Sequence, residues 1–259
     1  MSTSTKRVGL SDSSEIRADV VEEGRRLVGV AEAASVPLRL LGGVAVRVRA
    51  SDALPDALER QYKDIDIATT RKGSGAVAKL LRDIGYEPHV GFNAMNARER
   101  LLFFDEPNQR QLDVFVGSFR MCHEIPLEQR LTVDAATVPL AELLLTKLQI
   151  VELNEKDVRD TVALFHEHEV TDDDGGVNGP RVAELCGADW GLWRTITANL
   201  ENVRSHLDRY ALSPGESELV STRLDAVQER IEAAPKSRAW RLRARVGERV
   251  KWYEIPEEV

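Results

Sequence analysis

Cysteine is scarce in this sequence, with two in 259 residues, Cys122 and Cys186, and neither stands in a CxxC or Cys/His spacing. That scarcity excludes a disulfide framework and a conventional structural zinc site. Long hydrophobic runs are missing as well. No stretch approaches the roughly 20 apolar residues needed to cross a bilayer, so a membrane-spanning helix is not expected. Behind Met1-Ser2-Thr3-Ser4-Thr5-Lys6-Arg7 there is no apolar segment of signal-peptide length, and the expected location is the cytoplasm. Positive charge is also in deficit. Lysine and arginine total 35 against 43 aspartates and glutamates, a formal net charge of -8. Non-specific nucleic-acid binding over the whole surface is therefore disfavoured, and only a local basic patch remains open. There is no internal repeat. What is present is 42% hydrophobic and 30% charged residues, an ordinary balance with enough apolar material for a core. The length suits one large domain or two small ones.

The pattern along the chain predicts strands first and helices later. Ser13 to Val36 reads as a helix capped by Ser13 or Ser14, with Ile16, Val20, Leu27, Val28, Ala31 and Ala34 near one face. Pro37 ends it. Leu38 to Leu41 reads as a short buried strand that Gly42-Gly43 turns into a helix over Val44 to Ala50. Ser51 to Arg60 reads as a loop, Tyr62 to Thr69 as a strand and Gly73 to Ile84 as a helix. Leu101 to Phe104 and Gln111 to Val116 form a hairpin about Asp105-Glu106-Pro107-Asn108, and Leu131 to Val133 adds a strand. Beyond Pro139, helices are predicted over Leu140 to Leu153, Lys156 to His168, Trp190 to Tyr210, Ser213 to Ala233 and Arg238 to Trp252. Thr171 to Gly176 reads as a loop. This order predicts an α+β half followed by an all-helical half.

The most informative stretch is Lys63-Asp64-Ile65-Asp66-Ile67-Ala68. On a strand the side-chain period is two, so Asp64 and Asp66 share one side and Ile65 and Ile67 the other. Neighbouring carboxylates repel unless a cation sits between them. Such a strand is a candidate platform for a divalent metal, and Asp113 in Gln111-Leu112-Asp113-Val114 can complete it. Three carboxylates, a glycine pair and a metal are the parts of a nucleotidyl-transfer site. That reaction needs carboxylates to hold cations on the triphosphate, backbone amides close to the phosphates, and a cationic side chain for the developing charge. Magnesium is the natural ion, with manganese as a substitute. In this reading Asp64 and Asp66 bridge the metals. Asp113 holds the metal at the acceptor hydroxyl or accepts its proton. Gly42 and Gly43 let backbone amides approach the phosphates. Lys63, beside Asp64, joins them as a nucleotide-binding candidate. Lys147 stands in an otherwise apolar helix, Leu143-Leu144-Leu145-Thr146-Lys147-Leu148. Downstream, Asp157 and Asp160 share a helix face, and so do Lys156 and Asp160.

The series GG, KDIDI, LDVF, and then TKL followed by NEKDVRD resembles the AbiE-type toxin nucleotidyltransferases. That group belongs to the polymerase-β-like nucleotidyltransferase superfamily and includes the mycobacterial MenT enzymes. The resemblance covers roughly residues 38 to 168. It implies a polymerase-β-like core, a mixed sheet with flanking helices, over residues 1–135. A helical region over 136–259 would contribute to the cleft and end in a basic helix. It implies that Asp64 and Asp66 bind metal, that Lys147 contacts the nucleotide phosphates and that Asp157 is a further essential acid. It also implies transfer of a nucleotide from an NTP, in some members onto the 3′ end of tRNA, and often a cognate antitoxin protein. Two departures stand out. The stretch from Val44 to Lys63 makes an unusually long gap between the glycines and the aspartates. Gly43 stands where many superfamily members have serine.

Other readings compete. The acceptor can be a small hydroxyl compound, as for antibiotic nucleotidyltransferases, or the fold can be a non-catalytic module that binds a nucleotide or a partner. Lys147 can be a helix lysine reaching to water, and Asp157, Lys156 and Asp160 an ordinary salt-bridged face. His166 and His168 are two apart, a poor spacing for joint ligation. Asp172-Asp173-Asp174-Gly175 lacks the ligand pattern of a calcium loop. The C-terminal run Lys236, Arg238, Arg241, Arg243, Arg245, Arg249 and Lys251, with Trp240 and Trp252, reads either as an RNA-binding patch or as a solvated helix face packed through its tryptophans. Arg241, Arg243 and Arg245 are the RNA-binding candidates.

Overall fold

The first helix begins where Asp19 accepts hydrogen bonds from the backbone N–H groups of Val21 and Glu22. The computed structural model describes residues 15–255. The expected caps Ser13 and Ser14 lie outside them, and helix α1 spans only Val20–Ala33. Strand β1 (Arg39–Leu41) runs directly into helix α2 (Gly42–Arg49). A long connection then leads to β2 (Ile65–Thr69). Helix α3 (Ser74–Asp83), strand β3 (Glu87–Pro88) and helix α4 (Val90–Asn96) follow. The predicted hairpin is present as β4 (Arg100–Asp105) and β5 (Arg110–Val116).

These strands make one mixed sheet in the order β1-β2-β5-β4-β3. Strands β2 and β5 are parallel, and the other neighbours are antiparallel. Its outer edge is covered by the segment at 136–138, where Leu40 N donates to Ala136 O and Val138 N donates to Leu40 O, both at 2.9 Å. The chain therefore adds a partner to the sheet edge just before it becomes helical, which satisfies amides that an edge strand would otherwise expose.

A small hairpin, β6 (Ser118–Arg120) with β7 (Glu124–Pro126), follows the sheet. The strand expected over Leu131 to Val133 is instead a pair of turns, with Arg130 N on Leu127 O and Val133 N on Arg130 O. Three residues carry too little periodicity to distinguish the two.

Helix α5 (Leu140–Leu148) is buried along its whole length. It stops well before the expected Leu153 because Asn199 reaches in and donates to the carbonyls of Leu148 and Ile150, each at 2.7 Å. Helix α6 (Glu155–Glu167) starts at Asn154, whose side chain accepts from Asp157 N. A two-residue parallel pair, β8 (Val170–Thr171) and β9 (Val177–Asn178), introduces α7 (Gly179–Ala188). Helices α8 (Trp190–Ser205), α9 (Pro214–Ala233) and α10 (Arg238–Val246) complete the helical part. A capping box between Ser213 and Glu216 starts α9. Helices α8 and α10 end earlier than predicted, α10 at Gly247 with φ +60°.

The fold class is thus α+β, a mixed sheet with flanking helices. One cluster of buried side chains joins Leu40, Ile65 and Val114 of the sheet to Leu144, Phe165, Val203 and Leu224 of the helices. Both cysteines are buried free thiols. Among the described residues no helix is long and apolar enough to cross a membrane.

Candidate active site

Strand β2 begins at Ile65, so Asp64 lies on its approach and not in it as predicted. Asp64 is exposed, Asp66 is half-buried, and Ile65 and Ile67 are fully buried on the other face. Asp66 is the direct partner of Asp113 in the parallel register of β2 and β5. Alternation then puts Asp66, Asp113 and Phe115 on one face, with Arg100 and Leu102 of β4 beside them.

Gly42 sits against this face with φ +70°, and a Cβ there would lie 2.0 Å from Asp66 Oδ2. Only glycine suits that backbone and that approach. Leu41, at the N-cap position of α2, offers no side-chain acceptor, so the first amides of α2 have no cap from it. A Cβ on Gly43 would lie 2.1 Å from Arg60 Nη2 and 2.9 Å from Tyr62 Cδ1. A side chain at position 43 would therefore collide with Arg60 and Tyr62. Arg60 lies over the Tyr62 ring, 4.3 Å from its centroid.

Helices α5 and α6 close the other wall. Lys147 Nζ contacts Asp160 Oδ2 at 2.8 Å and Asp157 Oδ1 at 3.1 Å. Asp160, whose side chain is 2% exposed, also takes a bidentate pair of bonds from Arg60, both at 2.7 Å. Arg60, Asp160 and Lys147 therefore tie the loop before β2 to both helices. Burial works against the charge of Lys147, but Asp160 and Asp157 outweigh it and hold the ammonium protonated beyond the usual lysine range. Burial likewise opposes ionisation of Asp160, and Lys147 and Arg60 together hold its pKa below the usual carboxylate value.

A cavity of about 170 Å³ lies between these walls, lined by Gly43, Arg60, Lys63, Asp64, Asp66, Lys147, Asn154, Lys156 and Asp157 among others. The fold thus brings Gly43, Lys63, Asp64, Asp66, Lys147 and Asp157 together from four separate stretches of sequence. Arg60, Tyr62 and Asn154 were missed. Arg60 falls in a stretch that reads only as loop, and nothing in its spacing marks a partner one hundred residues away.

Asp113 does not reach that cavity. Its carboxylate is held by Arg100 Nε on Oδ1 at 2.7 Å and by Gln111 Nε2 on Oδ2 at 2.8 Å. Among the described residues no group of three or more His, Cys, Asp or Glu side chains is arranged to hold a metal ion. Asp64 and Asp66 are hard oxygen donors of the kind magnesium takes, and magnesium is commonly held by one or two carboxylates plus substrate phosphates. Burial and repulsion from Asp113 push Asp66 up to about 7, and Asp64, exposed overall, is raised by partial desolvation at the cavity wall and by Asp113. Two such carboxylates at one cavity have the chemistry to hold a magnesium ion, and no preassembled trio is present among the described residues.

The basic C-terminal candidates divide. Arg241 and Arg245 are exposed on α10. Arg243 is half-buried, donates to Gly247 O and Val250 O at 2.6 Å, and lies 4.7 Å from the Trp190 ring centroid. Trp240 packs on Trp193 and Trp252 on Trp190.

No family model matches this chain, and neither does any curated protein or solved structure.

Proposed function

We propose that the protein is a magnesium-dependent nucleotidyltransferase that moves a nucleoside monophosphate from an NTP onto an RNA acceptor, the 3′ end of tRNA. Its fold is read as a polymerase-β-like core, and its role as the toxin of a toxin–antitoxin pair. The observation that carries this reading is the meeting of Asp64 and Asp66 with Lys147 and Asp157 at one cavity beside Gly43. Metal-rich phosphate chemistry explains why two carboxylates and an ion-paired lysine share so small a space.

Each residue then has a task. Asp64 and Asp66 hold the magnesium, which when bound neutralises triphosphate charge. The amides of Gly42 and Gly43 face the phosphates at the start of α2. Lys147, kept protonated by its two carboxylates, stabilises charge developing on the leaving pyrophosphate. Asp157 orients Lys147, and Asp160 with Arg60 fixes both helices against the loop. Lys63 extends the cationic rim. Asp113, ion-paired to Arg100 outside that cavity, is assigned no step.

Incubation with magnesium, each labelled NTP in turn and total RNA tests the reading. Label on an RNA band supports it, and label on a small hydroxyl compound replaces the acceptor. The Arg100–Asp113 ion pair favours one second reading, a module that binds nucleotide without chemistry. NTP binding by calorimetry with no magnesium dependence and no label transfer supports that instead.

A further inference from the structure

A second cavity, of about 300 Å³, lies behind α6. The helical period puts Lys156, Asp157 and Asp160 on one side of that helix and Glu155, Val158 and Arg159 on the other. Helix α8 stops at Ser205, and the chain folds into a 3-10 turn over Leu207–Arg209. That turn brings His206, Arg209 and Tyr210, with Asn202 of α8, around the second side of α6. The two cavities share no lining residue.

One carboxylate lines this space, Glu155, and Arg159 occupies it, with Nε at 2.9 Å and Nη2 at 2.7 Å from Oε1. Arg159 Nη1 donates to Glu59 O at 2.8 Å, so two of the five guanidinium N–H groups are left over. Arg209 is exposed and makes no ion pair with a described residue. With Glu155 and Arg159 cancelling, the cavity keeps one positive charge. His206 Nδ1 bonds Asn202 O at 2.8 Å, which leaves Nε2 without a described partner. Tyr210 is 5% exposed, its ring centroid is 5.6 Å from the Arg159 guanidinium carbon, and its hydroxyl reaches Glu155 only at 3.4 and 3.5 Å. Burial and Glu155 push that phenol up to about 12, so it stays a donor.

Cationic N–H groups and a phenol suit a phosphate. The Tyr210 ring with Leu153 and Val158 gives apolar surface for a flat base, and the Asn202 amide and His206 Nε2 can bond its edge. The size is at the lower end of the ~300–1,000 Å³ typical of small-ligand sites, room for one nucleotide and not a longer strand.

We propose that this cavity is a binding site for a nucleoside monophosphate, its phosphate on Arg209 and the remaining N–H groups of Arg159 and its base against Tyr210. Binding there needs neither metal nor turnover, so it goes beyond the nucleotidyl-transfer reading and does not depend on it.

Calorimetry on the full chain in EDTA tests it, with AMP, GMP, CMP and UMP in turn, their nucleosides, and inorganic phosphate. At least one nucleotide is expected to bind, about tenfold or more tighter than its nucleoside and than inorganic phosphate. Arg209→Ala is expected to weaken that binding about tenfold, the worth of one charge-assisted hydrogen bond, with the melting temperature within error. Asn202→Ala is expected to weaken it less and to change the preference among the four bases. Lys63→Ala, which removes a cation from the other cavity, is expected to leave it unchanged. No binding by any of the four, a nucleoside or inorganic phosphate as tight as the nucleotide, or full affinity in Arg209→Ala overturns the site. An equal or larger loss in Lys63→Ala places the ligand in the other cavity and overturns it too. Label transfer from NTP to RNA by the wild type stands or fails separately from all of these.

Discussion

Asp66 and Asp113 face each other across the parallel strands β2 and β5, yet only one of them is neutralised. Arg100 pairs with Asp113 at 2.7 Å, whereas Asp66 makes no ion pair with a described residue. That asymmetry marks Asp66 as the carboxylate at which the proposed cation would be held, and the first prediction follows from it.

Asp66 is pushed up to about 7 by burial and by Asp113, against an ordinary aspartate pKa near 3.9. Between those values the folded chain binds more proton than the unfolded chain. Stability without divalent cation therefore falls as pH rises from about 4 to 7. Thermal melts in EDTA across that window should show the fall. Asp66→Asn should flatten it and melt above wild type at pH 8. An identical pH slope in both proteins contradicts the assignment.

Gly42 and Gly43 should differ in what crowds a side chain added there. Gly42→Ala meets a positive φ and the Asp66 carboxylate, and should cost about 1–3 kcal/mol in denaturant unfolding. Gly43→Ser displaces Arg60 Nη2 from the buried Asp160 carboxylate and crowds the Tyr62 ring, so it should cost about 1–3 kcal/mol as well and raise the KM for NTP, and its extra cost should shrink in an Arg60→Ala background whereas that of Gly42→Ala should not. Equal responses of the two variants to Arg60→Ala argue against the assigned contacts.

The two acids on α6 separate structure from chemistry. Asp160→Ala strips a buried carboxylate from both Arg60 and Lys147, and should destabilise the fold by roughly 3–5 kcal/mol. Asp157→Asn removes the more exposed partner of Lys147 and should leave the melting temperature nearly intact. Its kcat should nevertheless drop by about 10²–10³, as when one preorganised charge interaction is lost. A fully active Asp157→Asn enzyme contradicts its role.

On α10, Arg243→Ala should lower the melting temperature, since Arg243 bonds two carbonyls past the helix end and lies over Trp190. Arg241→Ala and Arg245→Ala should leave it unchanged. Each should reduce the salt slope of RNA binding by about one. Unchanged RNA affinity and slope in that pair exclude the patch from binding.

Much of this site was legible in the sequence because its parts are local. The Asp64-Asp66 spacing, the glycine pair at a strand–helix turn and Lys147 in an apolar helix each announce themselves within a few residues. Long-range pairing is not announced that way. Arg60 finds Asp160, and Arg100 claims Asp113, only through tertiary packing. The latter pair explains why the expected trio of metal ligands is not gathered. The same limit applies to the fold. Helix α5 ends early because of Asn199, a side chain from another helix. The short elements α4, β6 and β7 were missed because too few residues carry their pattern.

The central claim is that Asp64 and Asp66 act with Lys147 on a bound NTP. It is tested most directly by label transfer from an α-labelled NTP to RNA with magnesium, comparing wild type with Asp66→Ala shown by circular dichroism to be folded. The account predicts transfer by wild type and none above background by the variant. Undiminished transfer by Asp66→Ala contradicts it.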